Sequence, residues 1–327
     1  MVRTDRTATL YAVGGQYRHP AVRTKRFLDW KGDERHDGLY LLFARNAHEL
    51  SGTWFPYPPG TFGYSRLRRG VEESSTATAE REARVRRVFS GIHSSCIECR
   101  IGAHGACEFD GRISLTRFRG RFLIYARANT NRGSGGRYVQ VARSVRDDPA
   151  GPYLPFRLLT ILGYQEAAMK AKDIYFAAVQ PNPIDVDGTL LGLFPVALDR
   201  PLPRRAHAFN RPGHADATSA GAHGGLVGLS ISCDGLLWAP LVVLIASRVT
   251  QNRTWDQPVD GFLTDGTSVF AFIHANVPGI AAPKASPGLV QVSLTDGGLL
   301  TNLTRAAHAH MPGCSGRKRD RDAFART

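Results

Sequence analysis

The sequence predicts an all-β protein, a β-propeller of four-stranded antiparallel blades with five blades as the best fit. Three observations carry that expectation. Short apolar or alternating runs, each bounded by Gly, Asp, Asn or Pro, fill most of the chain, and such runs are the signature of antiparallel strands. The same order of strand, turn and strand recurs in blocks of about four strands. Helical periodicity is nearly absent, while 34 glycines and 19 prolines supply turns throughout.

The clearest block follows Cys107. Residues 113–118 form a strand, Arg119-Gly120 turns it, 121–127 returns, 138–144 follows a glycine-rich turn at Gly133, Gly135 and Gly136, and 156–162 closes the meander. A second copy opens at Asp173 with strands at 174–179, 189–197, 226–232 and 241–247; between its second and third strands, 204–225 is rich in His, Ala and Gly and reads as a surface insertion. A third copy opens at Asp260 with strands at 261–263, 268–275 and 289–294, and 299–303 is taken as its fourth. An opening copy fits 9–13 and 38–44, with 85–92 as a closing strand. The charged stretch 74–88 has the look of an exposed helix, and a fifth repeat is expected within 54–87. Four-stranded meanders that repeat this way close radially, because each twisted sheet must bury both faces against its neighbours. A two-sheet sandwich is the competing arrangement of the same strands. The expected organisation is one domain over 1–310, with insertions near 55–88 and 199–224, and a basic polar tail at 311–327 that is predicted to be disordered.

Composition bounds the function. With 43% hydrophobic and 21% charged residues in 327, the chain has material for a large core, which excludes a mostly disordered basic protein. The net charge of +14 is almost all arginine, since only six lysines occur. The arginines are interspersed with acids and lack the aromatic interleaving of an RNA-binding sheet, so a nucleic-acid partner is not expected. The N-terminus shows no apolar segment of the secretory kind, and the longest apolar run, 235–246, falls short of the roughly 20 residues a membrane span needs. The compartment stays open, and a monomer is expected. Five cysteines, an odd number, do not suggest a disulfide framework. Cys96, Cys99 and Cys107 with His93 or His104 have spacing that zinc accepts, yet the paired second knuckle is missing, so loop thiols are preferred and no metal or cofactor is predicted.

One local motif narrows the fold. The third strand of the second copy runs into Ser232-Cys233-Asp234-Gly235 and then Trp238, and the matching place in the first full block reads Ser144, Asp147 and Asp148 before Pro152-Tyr153. Asp caps a tight turn that Gly permits, and the Trp packs between blades. This resembles the Ser-x-Asp…Trp turn between third and fourth blade strands in the five-bladed propellers of the furanosidase group of glycoside hydrolases, the arabinanase-, xylosidase- and invertase-like enzymes. The resemblance runs over roughly 110–294 at the level of blade grammar. It implies a glycan ligand and three carboxylates at the starts of inner strands around an axial funnel.

Three inner strands here begin in a comparable way, at Glu108-Phe109-Asp110, at Lys172-Asp173 and at Val259-Asp260-Gly261. The opening strand, with Tyr11 to Gln16, carries no Asp. Glycoside hydrolysis needs one carboxyl group as acid and a second as base or nucleophile. Asp110, Asp173 and Asp260 are therefore the candidate catalytic residues, with Glu108 or Glu98 as the acid of raised pKa. Asp187 and Asp234 read better as plain turn formers. Arg112, on the same strand face as Asp110, together with Arg137 and His274, are the candidate substrate-binding residues. Trp30, Trp54, Tyr125 and Trp255 have rings able to stack on a sugar, but packing is the commoner role and none is singled out. The glycine-rich turn lacks the Gly-Lys-Ser/Thr ending of a phosphate loop, and no Gly-x-Ser-x-Gly elbow is present. The expected function is a carbohydrate-active, glycoside hydrolase-like propeller. The alternatives are a non-catalytic propeller that binds an anionic partner, either a sulfated glycan or nucleic acid, and a decayed domain.

Overall fold

The computed structural model describes residues 2–3, 10–16, 38–44, 85–90, 112–129, 137–164, 171–198, 223–249, 254–278 and 288–314. Within them the chain forms a sheet-rich, mostly antiparallel fold of four sheets and one α-helix. The first sheet runs β1 (Val2–Arg3), β2 (Leu10–Gln16), β3 (Gly38–Ala44) and β4 (Val85–Ser90) in spatial order. The second is another meander, β5 (Ser114–Phe118), β6 (Arg121–Asn129), β7 (Arg137–Arg143) and β8 (Arg157–Leu158), followed by the short β9 (Thr160–Ile161).

The third sheet is the longest. One edge is a strand in two pieces, β10 (Ala171–Ile174) and β11 (Ala178–Asn182), both paired with β12 (Asp185–Leu198). β12 pairs with β13 (His223–Ser232), which in turn pairs with β14 (Leu237–Trp238) and β15 (Val242–Val249). The fourth sheet has β16 (Thr254–Thr264), β17 (Val269–Pro278) and β18 (Gly288–Ser293). A 3₁₀ turn (Asp296–Gly298) then leads into α1 (Leu299–His310).

Two expectations change at the edges. Residues 299–303 were expected as a fourth strand and are instead the first turns of α1. Gly297 and Gly298 both take positive φ, 63° and 71°, and reverse the chain out of the sheet. Leu300, Thr304 and Ala307 then recur at helical spacing and are buried. The helix-like stretch 74–88 ends as strand, because Val85 and Phe89 pair with Leu42 and Leu39 of β3. The rest of 54–87, where a fifth repeat was expected, lies outside the described residues, as do the tail beyond 314, most of the 199–224 insertion and the zinc-spaced Cys96, Cys99 and Cys107.

Alternation with period two sends successive side chains to opposite faces, and the core shows its consequence. Phe122, Ile124 and Ala126 of β6 pack with Leu39 and Leu41 of the first sheet, while Leu123 and Tyr125 of the same strand pack with Ile174, Leu190 and Phe194 of the third. On β12, Leu191 and Leu193 turn the other way and meet Ala271 and Ile273 of the fourth sheet, together with Leu300, Ala307 and Met311 of the helical segment. The second and third sheets are thus buried on both faces, each between its neighbours in chain order.

The turn after β13 locks the second and third sheets together. Asp234 Oδ1 accepts the backbone N–H groups of Leu236 and Leu237, both at 2.8 Å, and Ser232 Oγ accepts that of Gly235 at 2.8 Å. Asp234 is therefore the turn former its sequence context suggested. Trp238 is fully buried, edge-on to Phe194 at 5.2 Å and to Tyr125 of the second sheet at 6.1 Å. The Tyr125 hydroxyl donates to Gly235 O at 3.0 Å, and β9 joins β14 in parallel beside it. The equivalent place in the second sheet has Ser144 Oγ accepting from Phe122 N at 2.8 Å, Asp148 Oδ1 accepting from Ala150 N at 2.8 Å, and Tyr153 donating to Pro149 O at 2.6 Å.

One covalent tie was not foreseen. Cys233 and Cys314, 81 residues apart and both buried, form a disulfide with Cα atoms 5.2 Å apart. It attaches the segment after α1 to the Trp238 turn. No helix among the described residues is long and apolar enough to cross a membrane.

Two outcomes follow. Gly235 has φ +85°, and a Cβ there would come within 2.7 Å of Leu123 Cδ1 and the Tyr125 hydroxyl, whereas Gly120, at φ +69°, has open space around it. Chemical denaturation should therefore show Gly235→Ala costing about 3 kcal/mol or more and Gly120→Ala about 1 kcal/mol. Burial first, and the Asp234 carboxylate second, raise the pKa of Tyr125 well above the usual phenol value, and burial with Asp148 does the same to Tyr153. The unfolded phenols ionise near pH 10 while the folded ones keep their protons, so this stability is complete below about pH 10 and is lost above it at up to about 1.4 kcal/mol per pH unit per phenol. Tyr125→Phe should lower stability at pH 7 by about 1 kcal/mol and give a shallower alkaline decline than the wild type in urea titrations at pH 9 to 11.

Candidate functional site

Edge strands of the second, third and fourth sheets, β5, β11 and β16, lie side by side. No backbone ladder joins their facing edges; polar side chains do. Ser114 Oγ on β5 accepts from Val179 N at 3.0 Å and lies 3.4 Å from Val179 O, so one hydroxyl serves both backbone groups of a residue at the β11 edge. Gln180 Oε1 on β11 accepts from Phe262 N of β16 at 3.1 Å. Pro181, which has no N–H, follows on the same edge, where its missing donor costs nothing to the ladder.

Arg112 is the third tie and the longest. It stands two residues before β5, half-buried, with its guanidinium carbon 5.2 Å above the centre of the Phe176 ring, and its Nη1 donates to Pro258 O of β16. Phe176 is buried in the irregular segment between β10 and β11. One side chain therefore links the approach to β5, the segment before β11 and the middle of β16. A desolvated guanidinium over an aromatic face contributes about 1 to 2 kcal/mol, and here it also satisfies a strand carbonyl.

β16 is bent where Arg112 holds it. Pro258 pairs with Ile273 and Phe262 with Ala271, so the three residues Val259, Asp260 and Gly261 stand opposite the single Phe272. Gly261 takes φ +109°, which fits it for this bulge. Bulges re-aim side chains at sheet edges and sites, and this one contains Asp260.

The predicted residues fall around this point as follows. Asp260 lies in the bulge, two residues beyond the carbonyl that Arg112 binds. His274, half-buried on β17, is paired with Gln257, the neighbour of Pro258. Asp173 is in β10, three residues before Phe176, and its backbone pairs with Ala197. Arg137 opens β7 opposite Asn129, at the end of the second sheet where Arg112 also stands. Glu98, Glu108 and Asp110 lie outside the described residues, as do Trp30 and Trp54. Tyr125 is buried and bonded to Gly235, which makes it a packing residue. One acidic residue escaped the sequence reading: Asp256 of β16 is only 3% exposed. It precedes Gln257 and Pro258 without the Asp-Gly pairing that drew attention elsewhere, so nothing in the local pattern singled it out.

A groove of about 500 Å³ starts beside this cluster and runs the length of β5, lined by Ile113 to Gly120, by Val179, Gln180 and Pro181, and by Val186 and Asp187 at the far end. Its rim arginines are engaged within the molecule. Arg117 forms a two-point ion pair with Asp147, its Nε 2.8 Å from Oδ1, and Arg119 donates to Asp187 O at 3.0 Å and Gly188 O at 2.8 Å. Among the described residues no cluster of His, Cys, Asp and Glu is suited to a metal ion.

No protein-family model matches the chain, and curated proteins give no match. Among solved structures it is similar to the crystal structure of an α-L-arabinofuranosidase from Lactobacillus brevis, with a TM-score of 0.42 and 10% identity over 83% of this chain. The match spans 65% of that protein's length.

If Arg112 joins these segments as its contacts imply, Arg112→Ala and Phe176→Ala will each destabilise the fold, and the double mutant will lose less than their sum by about 1 kcal/mol. Urea denaturation of the four-member cycle measures this coupling.

Proposed function

We propose that the protein is a carbohydrate-active β-propeller, glycoside hydrolase-like, whose inner-strand carboxylates act on a glycan. The observation that carries the reading is the span of Arg112. It reaches from a position two residues after Asp110, across a ring three residues after Asp173, to a carbonyl two residues before Asp260. One side chain thus joins three segments that lie within three residues, along the chain, of the predicted carboxylates, which supports this reading. Sheets buried on both faces in chain order support radial closure.

In this reading Glu108 or Glu98 protonates the leaving oxygen, and one of Asp110, Asp173 and Asp260 serves as base or nucleophile. Arg112 acts first as the residue that positions these strands. Arg137 and His274 contact the sugar at the same end. The groove along β5 receives the remainder of a glycan chain. The competing anion-binding platform draws little support from the arginines at the groove, since Arg112, Arg117 and Arg119 are spent on internal carbonyls and a carboxylate.

Turnover of a panel of aryl furanosides, aryl pyranosides and soluble glycans by the full chain tests the proposal. Asp110→Asn, Asp173→Asn and Asp260→Asn should each cut kcat by about 100-fold or more, with melting temperatures close to wild type. A large stability loss with unaltered activity overturns the assignment. Retention on heparin or DNA that disappears in moderate salt, with no sugar turned over, replaces it by the binding platform.

A further inference from the structure

We propose that α1 is a pH-sensitive clasp on the β11–β12 hairpin, closed when His308 is protonated. His308 presents both ring nitrogens to acceptors: Nε2 lies 2.8 Å from Asp185 Oδ2, and Nδ1 lies 3.3 Å from Cys314 O. A neutral imidazole has one N–H, so in that form one nitrogen always turns a lone pair toward an oxygen. Only the imidazolium donates to both.

The contact is built on a buried polar network. Asp185 Oδ2 also accepts from Thr189 Oγ1 at 2.9 Å. Asn182 Nδ2 donates to Thr189 Oγ1 and to Thr304 Oγ1 of the helix, both at 2.9 Å, and Thr304 Oγ1 donates to Leu300 O at 2.8 Å. Asn182 and Thr189 are fully buried. Helix and hairpin β11–β12 are thus joined by a chain of hydrogen bonds whose exposed end is the His308–Asp185 pair.

That hairpin also shapes the groove. Its next residues, Val186 and Asp187, are part of the groove lining, and Arg119 of the second sheet holds the carbonyls of Asp187 and Gly188. On its own helix the nearest charged or titratable groups along the chain are Arg305 and His310, and on the hairpin Asp187 follows two residues after Asp185. From Met311 to Cys314 none is charged. The Cys233–Cys314 disulfide keeps the helical segment attached when the pair opens, so the clasp loosens in place.

The sign is set by the histidine. A bond from an imidazolium to a carboxylate is charge-assisted and stronger than one from a neutral ring, so the contact weakens as pH rises.

Hydrogen exchange of the full oxidised chain, corrected for intrinsic rates, reads this directly. Between pH 5.5 and pH 8, protection of 299–310 and 183–188 should fall about tenfold while that of 242–249 stays constant. His308→Gln and Asp185→Asn should abolish the pH dependence, and His310→Gln should retain it. Nitrogen-15 spectra of the wild type should show both His308 ring nitrogens protonated at pH 5.5. A neutral ring at that pH overturns the proposal, as does pH-independent protection in the wild type or unchanged pH dependence in His308→Gln. The test needs no glycan, so its outcome is separate from that of the catalytic reading.

Discussion

Strand edges that face one another without a ladder are the constraint on which the centre of this molecule depends. Backbone N–H and C=O groups at such edges must be satisfied or remain in water. Here Ser114 serves Val179, Gln180 serves Phe262, and Arg112 serves Pro258. Each is a single side chain reaching from one sheet to the next. Because the ties are side chains, the edge strands keep their own register and curvature, and a groove remains between β5 and β11. A backbone ladder in the same place would have closed it.

The apolar core follows from the same geometry. Sheets that pack face to face must fill the space between them, and they do so with alternate residues of each strand. Trp238 is the largest side chain in that filling, fully buried between Tyr125 and Phe194. Its turn is held by Ser232 and Asp234 and by the positive φ of Gly235. The disulfide and α1 close the far side, where the fourth sheet has only three strands among the described residues and the helix supplies Leu300, Ala307 and Met311 to the core.

Much of the strand pattern was legible because strand periodicity and turn chemistry are local. The hairpin at Arg119-Gly120, the strand 38–44 and the Ser232–Trp238 turn all lie where their residues placed them. The helix at 299–310 was not legible. Its first five residues, Leu-Leu-Thr-Asn-Leu, suit a strand as well as a helix, and two glycines of positive φ decide the direction in which the chain leaves the sheet. The disulfide was hidden too, since the spacing of Cys233 and Cys314 along the chain carries no information about their distance in space.

For the candidate site the division is sharper. The sequence by itself determined which residues are acidic and where strand and turn patterns alternate, while the strands themselves begin at Ser114, Ala171 and Thr254, ahead of or beyond the acids expected to open them. Only the tertiary structure decided that Arg112 crosses to Phe176 and Pro258, that Asp260 falls in a bulge, that Asp256 is buried, and that His308 meets Asp185 from 123 residues away. The physical reason is range. Turn and strand preferences are set by neighbours in sequence, whereas a guanidinium or an imidazole finds its partner only after whole sheets have packed and brought distant edges into hydrogen-bonding reach.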